Sequence, residues 1–347
     1  MKLGIAGLPR AGKSTLFAAL TGARGDNAPG GSHKDTRIAT ITVLDERIDF
    51  LVNMYQPKKI AYAKIEYLLP SRIPGVADTK SEGEFWNQIR TCDGLLHVVG
   101  NFEESGSDPL KSEMNFQQVE DEMILSDLGV VEKRLERIEL DLKRGKKQGE
   151  AEMPLLSACR EKLENGEPLR NVPDVANDPL LRGFTFLSAK PMLVLINNGD
   201  EDEALPAWTK GRENLSFVVV RGKLEMDLAA MTAEEAAEFL EIYNIQESAL
   251  DRVIRHSYGM LNRISFFTVG ADEVKAWPIP AGIPALDAAG EVHSDIRQGF
   301  IRAEVVAFDD LKAEGSFQAA KKAGLVRLEG KEYIVKDGDI INYRFNV

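Results

Sequence analysis

Gly7-Leu8-Pro9-Arg10-Ala11-Gly12-Lys13-Ser14 is the stretch on which the reading of this chain turns. Its spacing is GxxxxGK[ST], and each fixed position answers a need of phosphate chemistry. Glycines let backbone amides approach phosphate oxygens, a lysine bridges the terminal phosphates, and a hydroxyl is offered to magnesium. The pattern also arises by chance, so its setting matters. Residues 2–6 are a short apolar run that predicts a strand, and Ser14-Thr15-Leu16-Phe17-Ala18-Ala19-Leu20 has helical character, so the glycines stand where a phosphate loop needs them. Gly7, Arg10, Ala11, Gly12, Lys13, Ser14 and Thr15 are therefore the expected contacts of a purine nucleoside triphosphate, GTP or ATP, with Ser14 the expected ligand of Mg2+.

Outward from this loop, residues 22–36 turn to Gly, Asn, Asp, Ser and Pro and predict a mobile loop near the nucleotide. Apolar runs at residues 38–44, 61–69, 95–99, 192–196 and 217–220 alternate with helical stretches, as a mostly parallel sheet requires. Between the third and fourth runs, Leu128, Val131, Leu135, Ile138 and Leu142 step by three and four, one stripe of a long helix. A second helix over residues 153–163, after the break at Gly145-Lys146-Lys147-Gln148-Gly149, completes an antiparallel hairpin. Past Tyr258 the texture changes to short strands at 264–269, 273–279, 300–307 and 333–335, divided by Gly and Pro turns. The fold class expected is α/β: a phosphate-loop domain (1–100 plus 184–260), a helical hairpin insertion (101–183) and a small C-terminal domain (261–347).

Composition narrows the function classes. With 347 residues, 44% apolar and 28% charged content and no apolar run of bilayer length, the expectation is a multidomain, soluble chain with no membrane association. Met1-Lys2 leads into a strand rather than a secretory signal, so a cytoplasmic location is expected, and the chain is expected to act as a monomer. A net charge of −12 disfavours whole-surface attraction to nucleic acid, so any such contact needs a local basic patch. Cys92 and Cys159 lie far apart without CxxC spacing and are expected to be buried thiols. A metabolic kinase is a weaker reading, because no acceptor-binding residues can be identified.

Residues 7–22, GLPRAGKSTLFAALTG, resemble the GxPNVGKSTLFNALT segment of the Obg-related translation-factor GTPases, and of their YchF subfamily in particular. The likeness extends through VEKRLERIELDLKRGKK (131–147), LENGEPLRNV (163–172), Lys190-Pro191 and three C-terminal stretches: FFTVGADEVKAWPIP, AAGEVHSDIRQGFIRAEVV and EGKEYIVKDGDIINYRFNV. The resemblance implies a nucleotide domain, an antiparallel helical arm and a TGS-like β-grasp domain, with an ATP- or GTP-driven cycle and ribosome or RNA association through the arm and that last domain.

The chain also departs from this pattern. Where the family carries DxxG, this sequence reads Leu69-Pro70-Ser71-Arg72, so the carboxylate expected to reach magnesium is replaced by Leu69; Asp78 could substitute only if its loop folds back. Ser32 and Thr36 are weak candidates for the switch threonine, and hydrolysis should be slow. Base recognition has two registers: Asn197 with Asp200, favouring guanine, or Asn198 with Glu201. Arg221-Gly222-Lys223 occupies the later loop position, and Ser188-Ala189-Lys190, similar to a base-contact motif, precedes the strand and is read as a decoy. His97 matches a histidine that the resemblance assigns to water positioning, a role a neutral imidazole can fill; the alternative is a core histidine on a strand. Lys143, Arg144, Lys146 and Lys147 at the hairpin turn are either solvated charge or a contact for RNA phosphate. His293, Asp295, Arg302 and Lys336 show no catalytic spacing, and Phe266, Phe267, Trp277 and Phe300 are expected to fill a core rather than stack bases.

Overall fold

The computed structural model describes residues 1–24, 36–71, 79–102, 109–147, 149–212, 214–242 and 248–346. In chain order its strands are β1 (Lys2–Ala6), β2 (Arg37–Thr42), β3 (Lys59–Ala61), β4 (Lys64–Leu69), β5 (Gly94–Asn101), β6 (Met192–Asn198), β7 (Ser216–Val220), β8 (Arg263–Val269), β9 (Glu273–Pro280), β10 (Phe300–Ala307), β11 (Arg327–Glu329) and β12 (Asp339–Phe345). Contacts divide the chain into two compact units, Met1–Ile41 with Glu66–Val253 and Thr42–Ile65 with Ile254–Val347.

The first unit holds a six-stranded sheet in the order β2-β4-β1-β5-β6-β7. β1 runs parallel to β4 and β5, and β6 runs parallel to β5 and β7. The central strands β5 and β6 are almost wholly buried along their length, which is why they read as continuous apolar runs rather than alternating ones. Parallel strands bring their carboxyl ends to one edge, the edge where an open α/β sheet holds its ligands. Here that edge carries the loop between β1 and the helix Lys13–Arg24.

The insertion is a helix of 35 residues, Pro109–Lys143, about 52 Å long at 1.5 Å per residue, and a second helix, Met153–Glu164. Val131, Leu135 and Ile138 pack with Leu156, Cys159 and Leu163, so the stripe legible in the sequence is the seam of the hairpin. At the root, buried Asp127 accepts hydrogen bonds from Leu187 N (3.0 Å), Ser188 N (2.7 Å) and Ser188 Oγ (2.8 Å) and pairs with Arg90 (2.8 Å). Lys190 Nζ donates to Arg90 O (3.0 Å) and Cys92 O (2.6 Å). Ser188-Ala189-Lys190 is thus a brace between the arm and the sheet, not a base contact. Both cysteines are free and buried, and burial pushes the Cys159 thiol up to about 11.

The second unit is a mixed sheet in the order β11-β10-β12-β8-β9-β3 with helices on it, consistent with a β-grasp module. Consecutive residues Phe266 and Phe267 face opposite sides, one in a core with Ile279, Ala285 and Phe300, the other with Ile48, Leu51 and Val306. Trp277 packs, half-buried, against the first of these cores. Two readings of the sequence change here. The run expected over 61–69 is divided: Ala61 ends β3, which pairs in parallel with β9, β4 begins only at Lys64, and residues 42–65 belong with the second unit. The strand expected over 333–335 is an isolated bridge at Ile334; β10 pairs in antiparallel fashion with β11 on one side and with β12 on the other, and Asp339, Ile340, Ile341 and Tyr343 of β12 are buried.

Candidate nucleotide-binding site

The loop between β1 and the first helix has the backbone a phosphate cradle needs. Gly7 (φ 139°) and Gly12 (φ 94°) adopt conformations closed to other residues. A Cβ on Gly7 would come within 2.3 Å of Val98 O, and one on Gly12 within 2.1 Å of Asn197 Nδ2. Arg10 is also left-handed, at φ 65°, where asparagine is better tolerated than arginine. Lys13 is 7% exposed, and its ammonium donates to Gly7 O (2.9 Å) and Leu8 O (2.6 Å). Burial lowers its pKa to about 8. An ammonium held only by carbonyl dipoles is under-compensated, and an arriving phosphate supplies the missing negative charge. Beside residues 8–11 lies a cavity of ≈340 Å3 that is also lined by Gly100 and by Lys111, Asn115 and Gln118 of the long helix.

Asn197, at the carboxyl end of β6, ties this loop to the next. Its Nδ2 donates to Ala11 O at 3.0 Å, and its Oδ1 accepts from Gly222 N at 2.9 Å, within Arg221-Gly222-Lys223. Asn198 does different work: it accepts from Asn101 Nδ2 (2.8 Å) and donates to Asp202 O (3.0 Å) and Ala204 O (2.9 Å), shaping the turn. Asp200 and Glu201 are both exposed on that turn, and Arg221 pairs with Glu203 at 2.8 Å.

The metal side differs. Leu69 ends β4 beside β1 and is 5% exposed, so an apolar side chain stands where a magnesium carboxylate is expected. Ser14 Oγ accepts a hydrogen bond from Arg37 Nη2 at 3.3 Å, and the Arg37 guanidinium lies 5.0 Å over the ring of Phe17. Thr36 donates to Gln88 Oε1 (2.6 Å) instead of facing the loop. Among the described residues no cluster of three His, Cys, Asp or Glu could hold a metal ion. Mg2+ demands a near-octahedral oxygen shell, commonly including a carboxylate. The described residues offer it one hydroxyl, already engaged by a cation, and do not fit it. Asp78 and Ser32 lie outside the described residues, as does most of the loop expected to be mobile. Nothing in its neighbourhood singles out Arg37 beyond its place beside Thr36 at the start of a strand.

His97 is placed as a core residue. It lies on β5 between β1 and β6, is 1% exposed and stacks on Phe116 at 5.2 Å. Its Nδ1 has no hydrogen-bond partner. Burial, with Arg170 and Lys13 adding to it, lowers its pKa to about 3 and keeps it neutral. A sealed imidazole has no access to a nucleophilic water, so the water-positioning role expected for His97 is not what this geometry provides.

At the hairpin turn, Lys143, Arg144 and Lys147 are exposed, while Lys146 pairs with the nearby acid Asp141 at 3.6 Å. In the second unit the His293 side chain accepts from Asp295 N at 3.2 Å as a helix cap. No described helix is long and apolar enough to cross a membrane.

Comparison with known proteins completes the picture. The chain is 37% identical over 365 residues to the ribosome-binding ATPase YchF of Bacillus subtilis (strain 168), covering 99% of each chain. It is 36% identical over 364 residues to the protein of that name from Escherichia coli O157:H7, covering 100% of this chain and 99% of the other. The solved structure of the Schizosaccharomyces pombe YchF GTPase matches with a TM-score of 0.82 at 27% identity, over 99% of this chain and 97% of that one. The GTP binding protein from Pyrococcus horikoshii OT3 shares the fold, with a TM-score of 0.61 at 17% identity and full coverage of both chains. The family model described as "YchF-GTPase_C: Protein of unknown function (DUF933)" matches residues 263–346. Identity of this order over the full length of both chains means that the chain belongs to the YchF family.

Proposed function

We propose that this chain binds a purine nucleoside triphosphate at residues 7–15, hydrolyses it slowly, and works as a ribosome-associated factor. The observation that carries the reading is the preformed cradle: Gly7 and Gly12 in conformations only glycine adopts readily, Lys13 buried without a carboxylate partner, and Asn197 joining the loop to Gly222. The position of Asn197 supports the register that sets Asp200 against the base, and with it GTP; Glu201 is the competing acceptor and would suit ATP. Association with the ribosome is supported by the names of the relatives from Bacillus subtilis and Escherichia coli, and exposed Lys143, Arg144 and Lys147 offer RNA phosphate a patch within an acidic chain.

A second reading, a nucleotide-holding scaffold without turnover, is favoured by Leu69 and by the sealed ring of His97. Titration with fluorescent ATP and GTP analogues, followed by single-turnover phosphate release, separates the two. Binding that falls about a hundredfold or more in Lys13→Ala supports the site, and equal binding by that variant overturns it. Release supports the slow enzyme, and its absence supports the scaffold. A change of base preference in Asp200→Asn, with none in Glu201→Gln, supports the first register; the reverse result sinks it.

A further inference from the structure

We propose that Arg37, not a divalent cation, supplies the positive charge beside Ser14 when this site holds a triphosphate, so that binding does not depend on Mg2+. The inference rests on the nucleotide reading above and goes beyond it in naming the form of the ligand: the metal-free triphosphate.

Three features of the described residues converge on it. The position at the carboxyl end of β4, next to β1, is the buried Leu69, which has no atom to offer a metal or its waters. The hydroxyl of the phosphate loop is occupied: Arg37 Nη2 donates to Ser14 Oγ at 3.3 Å, so a dication at Ser14 would sit against a fixed monocation. The guanidinium is also held from a second direction. Arg37 opens β2, and strand alternation puts it on the same face as the buried Ala39 and Ile41, which turns it over the ring of Phe17 at 5.0 Å. Phe17 belongs to the first helix and is itself 3% exposed. A ring on one side and a hydroxyl on the other thus place the guanidinium beside the phosphate loop.

The chemistry suits the exchange. A guanidinium presents a planar fork of N–H donors that matches phosphate oxygens in bidentate fashion and cannot lose its charge near neutral pH. A metal-free triphosphate carries more negative charge than its magnesium complex. Lys13 on one side and Arg37 on the other offer fixed charges for that surplus, and neither has to be carried in by the ligand.

The test is the dissociation constant of N-methylanthraniloyl ATP and GTP, read by fluorescence anisotropy in excess Mg2+ and in excess EDTA, for the full chain and for Arg37→Ala, Arg37→Lys, Asp78→Asn and Lys13→Ala. Expected are wild-type values within about threefold of one another in the two buffers, and a loss of about tenfold or more in EDTA for Arg37→Ala. Arg37→Lys, which keeps the charge without the fork, falls between them and guards against misfolding of the alanine variant. Wild-type binding that weakens about tenfold or more in EDTA overturns the proposal; if Asp78→Asn abolishes that dependence, the carboxylate of a metal site is Asp78. Arg37→Ala binding as wild type in EDTA overturns it as well. Both of those results leave the nucleotide reading intact provided Lys13→Ala fails to bind. Absence of wild-type binding in either buffer overturns the nucleotide reading and this proposal together.

Discussion

Asn197 and Leu69 stand at the carboxyl ends of two strands of one sheet, one on each side of the pair β1 and β5, and they serve the phosphate loop in opposite ways. Asn197 is buried and uses both ends of its amide on backbone groups of two loops, so it is needed for folding before any ligand arrives. A metal carboxylate at position 69 would serve only the ligand, and its replacement by leucine leaves a well-packed strand end. The floor of the site is therefore kept by stability as well as by binding, whereas its metal side is kept by chemistry alone and is free to change when the chemistry does.

The contrast breaks first, and most visibly, at Asn197. Asn197→Ala leaves Ala11 O and Gly222 N unpaired in the interior and should lower the unfolding free energy by about 3 kcal/mol, read as a shift of the urea midpoint. An unchanged midpoint would remove the distinction between floor and metal side.

His97 tests the same idea through pH. Its pKa falls from 6.5 to about 3 on folding, so the unfolded chain takes up a proton that the folded chain refuses. Stability should drop as the pH falls below 6.5, by about 2 kcal/mol at pH 5, and His97→Leu should lack that part of the drop. Phosphate release unaffected by the same substitution would place His97 in the core for good, while abolished release would restore it to the chemistry.

Lys13 comes next in size. Its ammonium loses a proton near pH 8 in the free protein, and a bound polyanion holds that proton on. Triphosphate affinity should be level below about pH 8 and weaken about tenfold by about one unit further up; a flat profile through pH 10 would mean that the ammonium does not meet phosphate. The smallest effect is expected at Arg10, where asparagine suits the left-handed backbone better. Arg10→Asn should raise stability by up to about 1 kcal/mol, checked by thermal unfolding.

The parts of the molecule legible in the sequence are those where local pattern and final environment agree. GxxxxGK[ST] between an apolar run and a helix is one such place, and so is the stripe from Leu128 to Leu142, which meets a partner helix close by in sequence. Asn197 was recognisable because a buried strand ends on it. What escaped depends on distant partners. Ala61 reads as the start of the run to Leu69 until β9, more than two hundred residues on, claims it together with residues 59 and 60. β12 follows a Lys-Asp-Gly turn, and its burial depends on pairing with β10 about thirty-five residues earlier. The roles of Arg37 and of Ser188 with Lys190 come from Ser14, Phe17, Asp127 and the carbonyls of Arg90 and Cys92, none of which their own neighbourhoods reveal.

The brace at Asp127 gives the helical arm a mechanical character. Some sixteen residues, about 24 Å of helix, separate that carboxylate from Lys143 at the tip, and the segment it grips at Leu187 and Ser188 leads directly into β6. Near its far end β6 carries Asn197, which holds Ala11 of the phosphate loop. The arm is a handle whose root, at Asp127, is fastened to the segment leading into the strand whose far end is latched to the phosphate loop.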